Sequence, residues 1–535
     1  MERHVLFPKI KNVYMKKIIV IGILAATLGT SCKKDFLTSL QNNPNAPTSS
    51  AATVQLVLPG TLTGIVLIIN NVGYTGPNSS YEGQAAWMGY WNYAGGYSFN
   101  NAVQSYVLTN TSPQVWDPYY AVLSNLNVVH QNAVADPTLA NYEAISDILE
   151  SICFQNLVDV YNDIPYTNAL QGQGNFFPTY DKASDVYDSL VAKLDLAINL
   201  IQKNMSGSVV VPAQDDIMFG GNMQMWMAFA NTVKLRMLVR ESNVSAKQAY
   251  IKTELAATAS AGYLGLHQDA LVNPGYSSSK PSPMYGAFGI APNGSINGSF
   301  NYIRSGNLAM SFYKTTNDPR LAYFYGKNGT QTNDANGDYY NITFPLKYSD
   351  YTADYLGIQT TPTANGSGIG PGLMQSPSQS AVMMTASESL FNQAEAVVRG
   401  YITGNADQLY QQAITASFEY LNVGGDPDTY AASYYNQTGI TNVSWPSDMT
   451  GQIQAILTQK WAALNGISNM ESWNDWRRTG FPVIKKSLSP TSTEPGPPYR
   501  YYYPVEEPNY NSTAWKNAGG DTIDPFTSKI FWMPQ

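Results

Sequence analysis

Residues 459–482, QKWAALNGISNMESWNDWRRTGFP, join two helical patterns around a glycine. Leading into them, Ile453, Ile456, Leu457, Trp461 and Leu464 recur at offsets of three, four, eight and eleven, the spacing of one apolar helix face. Gly466 stands where that helix would be capped. A second, shorter helix follows and stops at Gly480 and Pro482, because proline lacks the amide hydrogen a continuing helix needs. Within it, Glu471, Trp473, Asp475, Trp476, Arg477 and Arg478 set aromatic rings beside opposite charges. The cluster reads as a structural staple: a buried tryptophan pair with the guanidinium groups bonded to Glu471 and Asp475.

Working outward, the chain yields paired amphipathic segments from Asp117 onward, first at 118–134 and 139–160. The next, 183–202, places Val186, Leu190, Leu194, Ala197, Ile198 and Ile201 on one side, with Asp181 as its N-cap and Gly207 as its stop. Segments 223–241 and 246–260 continue the pattern, and helices resume at 383–399 and 405–421. Leu390 with Ala394, and Leu409 with Ala413, alternate large and small residues, which admits a neighbouring helix closely, as in tetratricopeptide hairpins. Strict repeat spacing is absent. The expected fold is therefore all-α: degenerate tetratricopeptide-like helical repeats, at about 117–261 and 383–478, packed with a long loop-rich, irregular ligand-binding region at about 265–380. So long a loop inside a compact body marks a functional surface or misassigned elements, and a functional surface is expected.

Charged residues make up only 13% of the 535 positions while aromatics reach 12%, with 38 Tyr and 10 Trp, so amides, hydroxyls and ring edges must cover much of the surface. Such a surface suits neutral, hydroxyl-rich ligands. The net charge of -8 argues against an electrostatic footprint for nucleic acid. With only His4, His130, His267, Cys32 and Cys153 available, no clustered His/Cys metal site can be assembled; a calcium site made from carboxylates and carbonyls stays open, and no metal or cofactor is assigned. Cys153 falls on an apolar face with Ile145, Ile148, Leu149 and Ile152 and reads as a small buried hydrophobe. His130 sits inside a helical pattern and reads as structural.

The N-terminus reads as an address. Residues 15–32, MKKIIVIGILAATLGTSC, carry a basic start, an apolar run and small residues before a cysteine, which is a secretory signal too short for a spanning helix. Met15 is the expected start, residues 1–31 the signal segment, and Cys32 the lipidated residue, although Gly29 stands where a lipobox usually has a Leu-type residue. Residues 32–50, polar and rich in Pro and Asn, form a tether; a single domain is expected over 51–535. Several acyl chains would anchor the protein stably.

The stretch 459–482 resembles the C-terminal signature of the SusD/RagB-like outer-membrane lipoproteins of Bacteroidetes. In the same order as in that family stand NNPNAPT (within 41–50), YNDIPYTNAL (161–170), WMAFANTVKLRMLVR (226–240), NDPRLAYF (317–324) and YRYYYPVEEPNYN (499–511). The resemblance implies a surface-exposed, lipid-anchored outer-membrane protein that binds a nutrient and passes it to a SusC-like TonB-dependent transporter, with the repeats packed against the transporter and the loops holding ligand.

Sugar rings present flat CH faces, so their recognition in water uses Trp or Tyr platforms rimmed by amides and carboxylates. Two stretches offer that mixture. In 81–106, Trp87, Tyr90 and Trp91 have helical spacing and read as core, whereas Tyr93 and Tyr97 flank Gly95 and Gly96 and are candidate contacts. In 273–304, Tyr276, Tyr285 and Tyr302 lie among small polar residues and are expected to be exposed. The competing class is an all-α glycoside hydrolase, which would need two carboxylates facing each other across a cleft. The pairs Asp159 with Asp163, and Glu471 with Asp475, lie four residues apart and would share a helix face instead. No nucleophile elbow, HExxH, phosphate loop or dinucleotide fingerprint occurs, and the protein is read as a binder.

Overall fold

In the computed structural model the periodic segments become helices stacked largely in chain order. The structure describes residues 52–70, 82–93, 101–111, 115–289, 293, 295, 303–326, 367–484, 486, 487, 489 and 491–534. Helix α1 (Val54–Asn70) turns Val54, Leu58, Leu62, Ile65 and Val66 inward. After it come the short helix α2 (Gln84–Trp87) and strand β1 (Trp91–Tyr93). Helix α3 (Trp116–Ala135) packs on α1, and α4 (Ala140–Tyr161) packs on α3. Then α5 (Ala183–Asn204) packs on α4, and α6 (Met223–Arg240) on α5. Nearly all of α4 is buried, as a helix with neighbours on all sides must be; Cys153 lies inside it.

The loop-rich region leaves and re-enters the helical body at one place. Strand β2 (Ala270–Val272) precedes strand β3 (Ile303–Ser305), and β4 (Ala381–Met384) pairs antiparallel with β2. The described residues between β2 and β4 thus belong to an excursion closed at its base. It is less irregular than its composition suggests, since Pro283–Phe288, Asn307–Thr315 and Leu321–Phe324 are helical. Beyond β4, α7 (Ala386–Val398) packs on α6, so the two helical blocks join across the excursion. Helices α8 (Ala406–Leu421) and α9 (Met449–Leu464) both pack on α7, and α10 (Asn469–Thr479) follows α9. The close α7–α8 contact is the one that Ala394 and Ala413, both fully buried, allow. The fold is helical throughout; among the described residues the strands form only two short antiparallel ribbons, and Val54–Gln535 make one compact unit.

Two local expectations are corrected. Helix α1 lies outside the expected set, because Pro59 and Gly60 interrupt its pattern; the helix continues past them, with Thr63 Oγ1 donating to the Pro59 carbonyl at 2.9 Å. The carboxylate that caps α5 belongs to Asp163, which accepts from the Ala183 amide at 2.9 Å. Asp181 instead accepts from the amides of Tyr166 and Thr167, both at 2.9 Å, closing the YNDIPYT turn.

The staple at 459–482 is buried and wider than expected. Arg478 reaches Glu395 on α7 and also Asp475, whose second oxygen meets Lys460 at 2.7 Å. Glu471 is not held by Arg477 or Arg478: Arg240 lies between it and Asp159. Arg477 stacks on Trp473, 3.5 Å from the ring centroid, and donates to the carbonyls of Asp159 and Tyr499. Trp473 is fully buried while Trp476 is only half-buried, so the expected tryptophan pair is one core residue and one at the margin. Burial opposes charge on Glu395, yet Arg478 and Arg399 outweigh it and hold the carboxyl down at about 2. For Asp159 burial wins over Arg240, and its carboxyl is raised.

Candidate ligand-binding site

The two aromatic stretches singled out in the sequence meet in one ribbon. Strands β1 and β3 pair antiparallel, with Trp91 opposite Ser305, Asn92 opposite Arg304 and Tyr93 opposite Ile303. The segment that leaves after Tyr93 and the segment that arrives before Ile303 therefore start from the same end of the ribbon.

The ribbon is anchored from below by the helices of the signature stretch. Tyr90 stacks on Trp461 at 5.1 Å and donates to its carbonyl at 2.6 Å, while Trp461 Nε1 donates to the Met88 carbonyl at 3.0 Å. Trp91 meets Tyr325 edge-on at 4.8 Å, and Asn465 Nδ2 donates to the Tyr325 hydroxyl at 3.0 Å. Gly306 passes so close beneath Gly89 that a Cβ there would lie 2.4 Å from the Gly89 carbonyl oxygen. Farther along the excursion, Arg320 of NDPRLAYF is wholly buried, paired with Asp318 at 2.7 Å and bonded to Ser417 and Gln459. Both the signature stretch and NDPRLAYF thus fasten loops to helices, which leaves little of them for ligand.

The expected contacts fall differently. Trp87, Tyr90 and Trp91 are buried core, as read. The backbone of Tyr93 ends β1; its side chain, Tyr97, Tyr302 and Cys32 lie outside the described residues. Tyr276 and Tyr285 are not exposed: they retain 8% and 3% of their surface, and the helix Pro283–Phe288 buries Tyr285 together with Met284 and Phe288. Burial also raises the Tyr276 phenol. Arg304, across from Asn92, is a ribbon residue the sequence reading missed, since only the pairing of two distant segments locates it.

The carboxylates considered for hydrolysis are spent on structure. Asp159, Glu471 and Asp475 sit in buried ion pairs, and Asp163 caps α5. Among the described residues no group of three or more His, Cys, Asp or Glu side chains gathers as a metal site, and no helix is long and apolar enough to cross a membrane.

The helical body of tetratricopeptide-like pairs matches the fold of the SusD homologues. The SusD-like family, described as starch-binding and associating with the outer membrane, matches residues 53–504. The chain belongs to that family of nutrient-binding outer-membrane proteins. A SusD homologue from Bacteroides fragilis superposes with a TM-score of 0.68 at 23% identity, covering 89% of this chain and 98% of its own. A second from the same species reaches 0.70 at 19% identity, over 90% and 100%. A chitin-binding SusD homologue from Flavobacterium johnsoniae gives 0.68 at 23%, over 89% and 98%. No curated protein sequence matches.

Proposed function

We propose that this protein captures a neutral oligosaccharide at the cell surface and passes it to a SusC-like TonB-dependent transporter, held to the outer membrane by acyl chains on Cys32. The observation that carries the ligand reading is the β1–β3 pairing, which puts Tyr93 opposite Ile303, the described residues that border the two aromatic stretches. We assign ligand contact to Tyr93, Tyr97 and Tyr302. The low charge content favours a neutral ligand over an ionic one, and the starch-binding description of the family and the chitin-binding relative both support a glycan. The protein acts as a binder, and the commitment of Asp159, Glu471 and Asp475 to buried ion pairs supports that role over hydrolysis.

The test is calorimetric titration of the chain truncated after Cys32 against neutral oligosaccharides and peptides, with product analysis of each mixture. Saturable glycan binding without product is expected. Peptide binding alone would replace the ligand class, and turnover would overturn the binding role.

A further inference from the structure

A second aromatic cleft involves residues near the C-terminal end of the chain, and no residue of the ribbon lines it. It has a volume of about 410 Å³, within the range of ligand pockets, and opens between residues 108–110 and the segment 502–523. Helix α11 (Ser512–Asn517) carries Trp515 to its wall. The ring is seated against Gly520, where a Cβ would come 2.1 Å from Trp515 Nε1, so only glycine at that position lets the indole take this place. Tyr502 is also half-exposed in the lining, and Pro508 and Ile523 complete the apolar surface. The rim carries Asn110 and the exposed carboxylate of Asp521.

We propose that this cleft is a second sugar-binding site, one that takes a neutral pyranose unit. The proposal rests on the oligosaccharide reading above and extends it to a cleft that no ribbon residue lines. Two half-exposed rings offer platforms for the CH faces of a sugar; the Asn110 amide can donate and accept, and Asp521 accepts from hydroxyls. None of the lining residues is cationic, so an anionic ligand would meet only repulsion from Asp521. Leu108, Thr109, Tyr502, Tyr503 and Ile523 of the lining lie in irregular segments and the rest on helices or a turn; none belongs to a strand, so an extended peptide finds no sheet to extend there.

The test uses the mature, unlipidated chain titrated calorimetrically with maltoheptaose and with N-acetylchitohexaose, together with crystals soaked in each. Two classes of site are expected for a sugar that binds, with a ring seated on Trp515 in the soaked crystal. Trp515→Ala should weaken one class by about tenfold and leave the other unchanged. Asp521→Ala, at an exposed position, should weaken the same class, and unchanged circular dichroism spectra verify folding. A single class of site that neither substitution alters overturns the second site and leaves the primary function standing. If neither sugar binds anywhere, the oligosaccharide reading falls and this site falls with it.

Discussion

Arg478 donates to both carboxylate oxygens of Glu395, at 2.5 and 2.8 Å, and so ties the signature helix α10 to the repeat helix α7. Both side chains are almost fully buried. Removing one partner strands the other charge in the interior, so Glu395→Gln should cost about 3–5 kcal/mol in chemical denaturation. The pair also sets an acid limit. The Glu395 carboxyl lies at about 2 in the folded chain against an ordinary 4.5, so its stabilising effect is complete above pH 4.5 and is lost as pH falls toward 2. Denaturation of the wild type and Glu395→Gln between pH 6 and 3 should show the difference shrinking with acid; a constant difference would refute the assignment.

Glu241 presents the opposite case. It is fully buried at the end of α6, neither oxygen has a hydrogen-bond partner, and Lys247 stands 3.7 Å away. Burial pushes its carboxyl up to about 7 despite Lys247. A raised carboxyl favours the folded chain below pH 4.5, and that advantage is lost as pH rises through 7. Glu241→Gln should therefore raise the melting temperature at pH 8, by an amount corresponding to no more than about 3 kcal/mol. At pH 4.5 the gain should vanish, and an equal gain at both pH values would exclude Glu241 as the cause.

Two glycines predict opposite outcomes. At Gly306 the new methyl group would meet backbone of Gly89 and Tyr90, which cannot yield as a side chain does. Gly306→Ala should destabilise by about 1–3 kcal/mol and, by displacing the ribbon, also weaken glycan binding. A Cβ at Gly60, inside α1, would have no neighbouring atom within 4 Å, so Gly60→Ala should stabilise by about 0.5–1 kcal/mol without touching affinity. Thermal melts and titrations of the two variants give the comparison.

The helices were legible because burial on one side leaves a period of 3.6, as in Val186, Leu190, Leu194 and Ile201 of α5, all buried. Helix α1 was not, since Pro59 and Gly60 are local signals against a helix that tertiary packing overrides. The cap of α5 misled for a similar reason: Asp181 stands at the right spacing, but Asp163, nearer in space, takes the amide. Ribbon β1–β3 left no periodic trace, because strands of three residues are too short for alternation to register. Charge partners across long separations, such as Arg240 with both Asp159 and Glu471, are fixed by the packing of three helices and carry no spacing in the sequence. Of the site, the sequence reading found the two aromatic stretches but not their meeting, and composition alone placed Tyr276 and Tyr285 at a surface they do not occupy.

That difference separates ligand contacts from core. If Tyr97 and Tyr302 bind sugar near the ribbon end, Tyr97→Ala and Tyr302→Ala should each weaken glycan binding by about tenfold, the loss of one aromatic platform, with melting temperatures unchanged. Tyr285 is buried, so Tyr285→Ala should behave as a core truncation and cost about 3–5 kcal/mol of stability. Measuring affinity and melting temperature for all three variants distinguishes the roles. If Tyr97→Ala and Tyr302→Ala bind as the wild type does, the contact assignment at the ribbon end is wrong even though the fold is right. If instead they melt early, those rings belong to the core as Tyr285 does, and a loss of affinity in them would report unfolding, not the removal of a sugar platform.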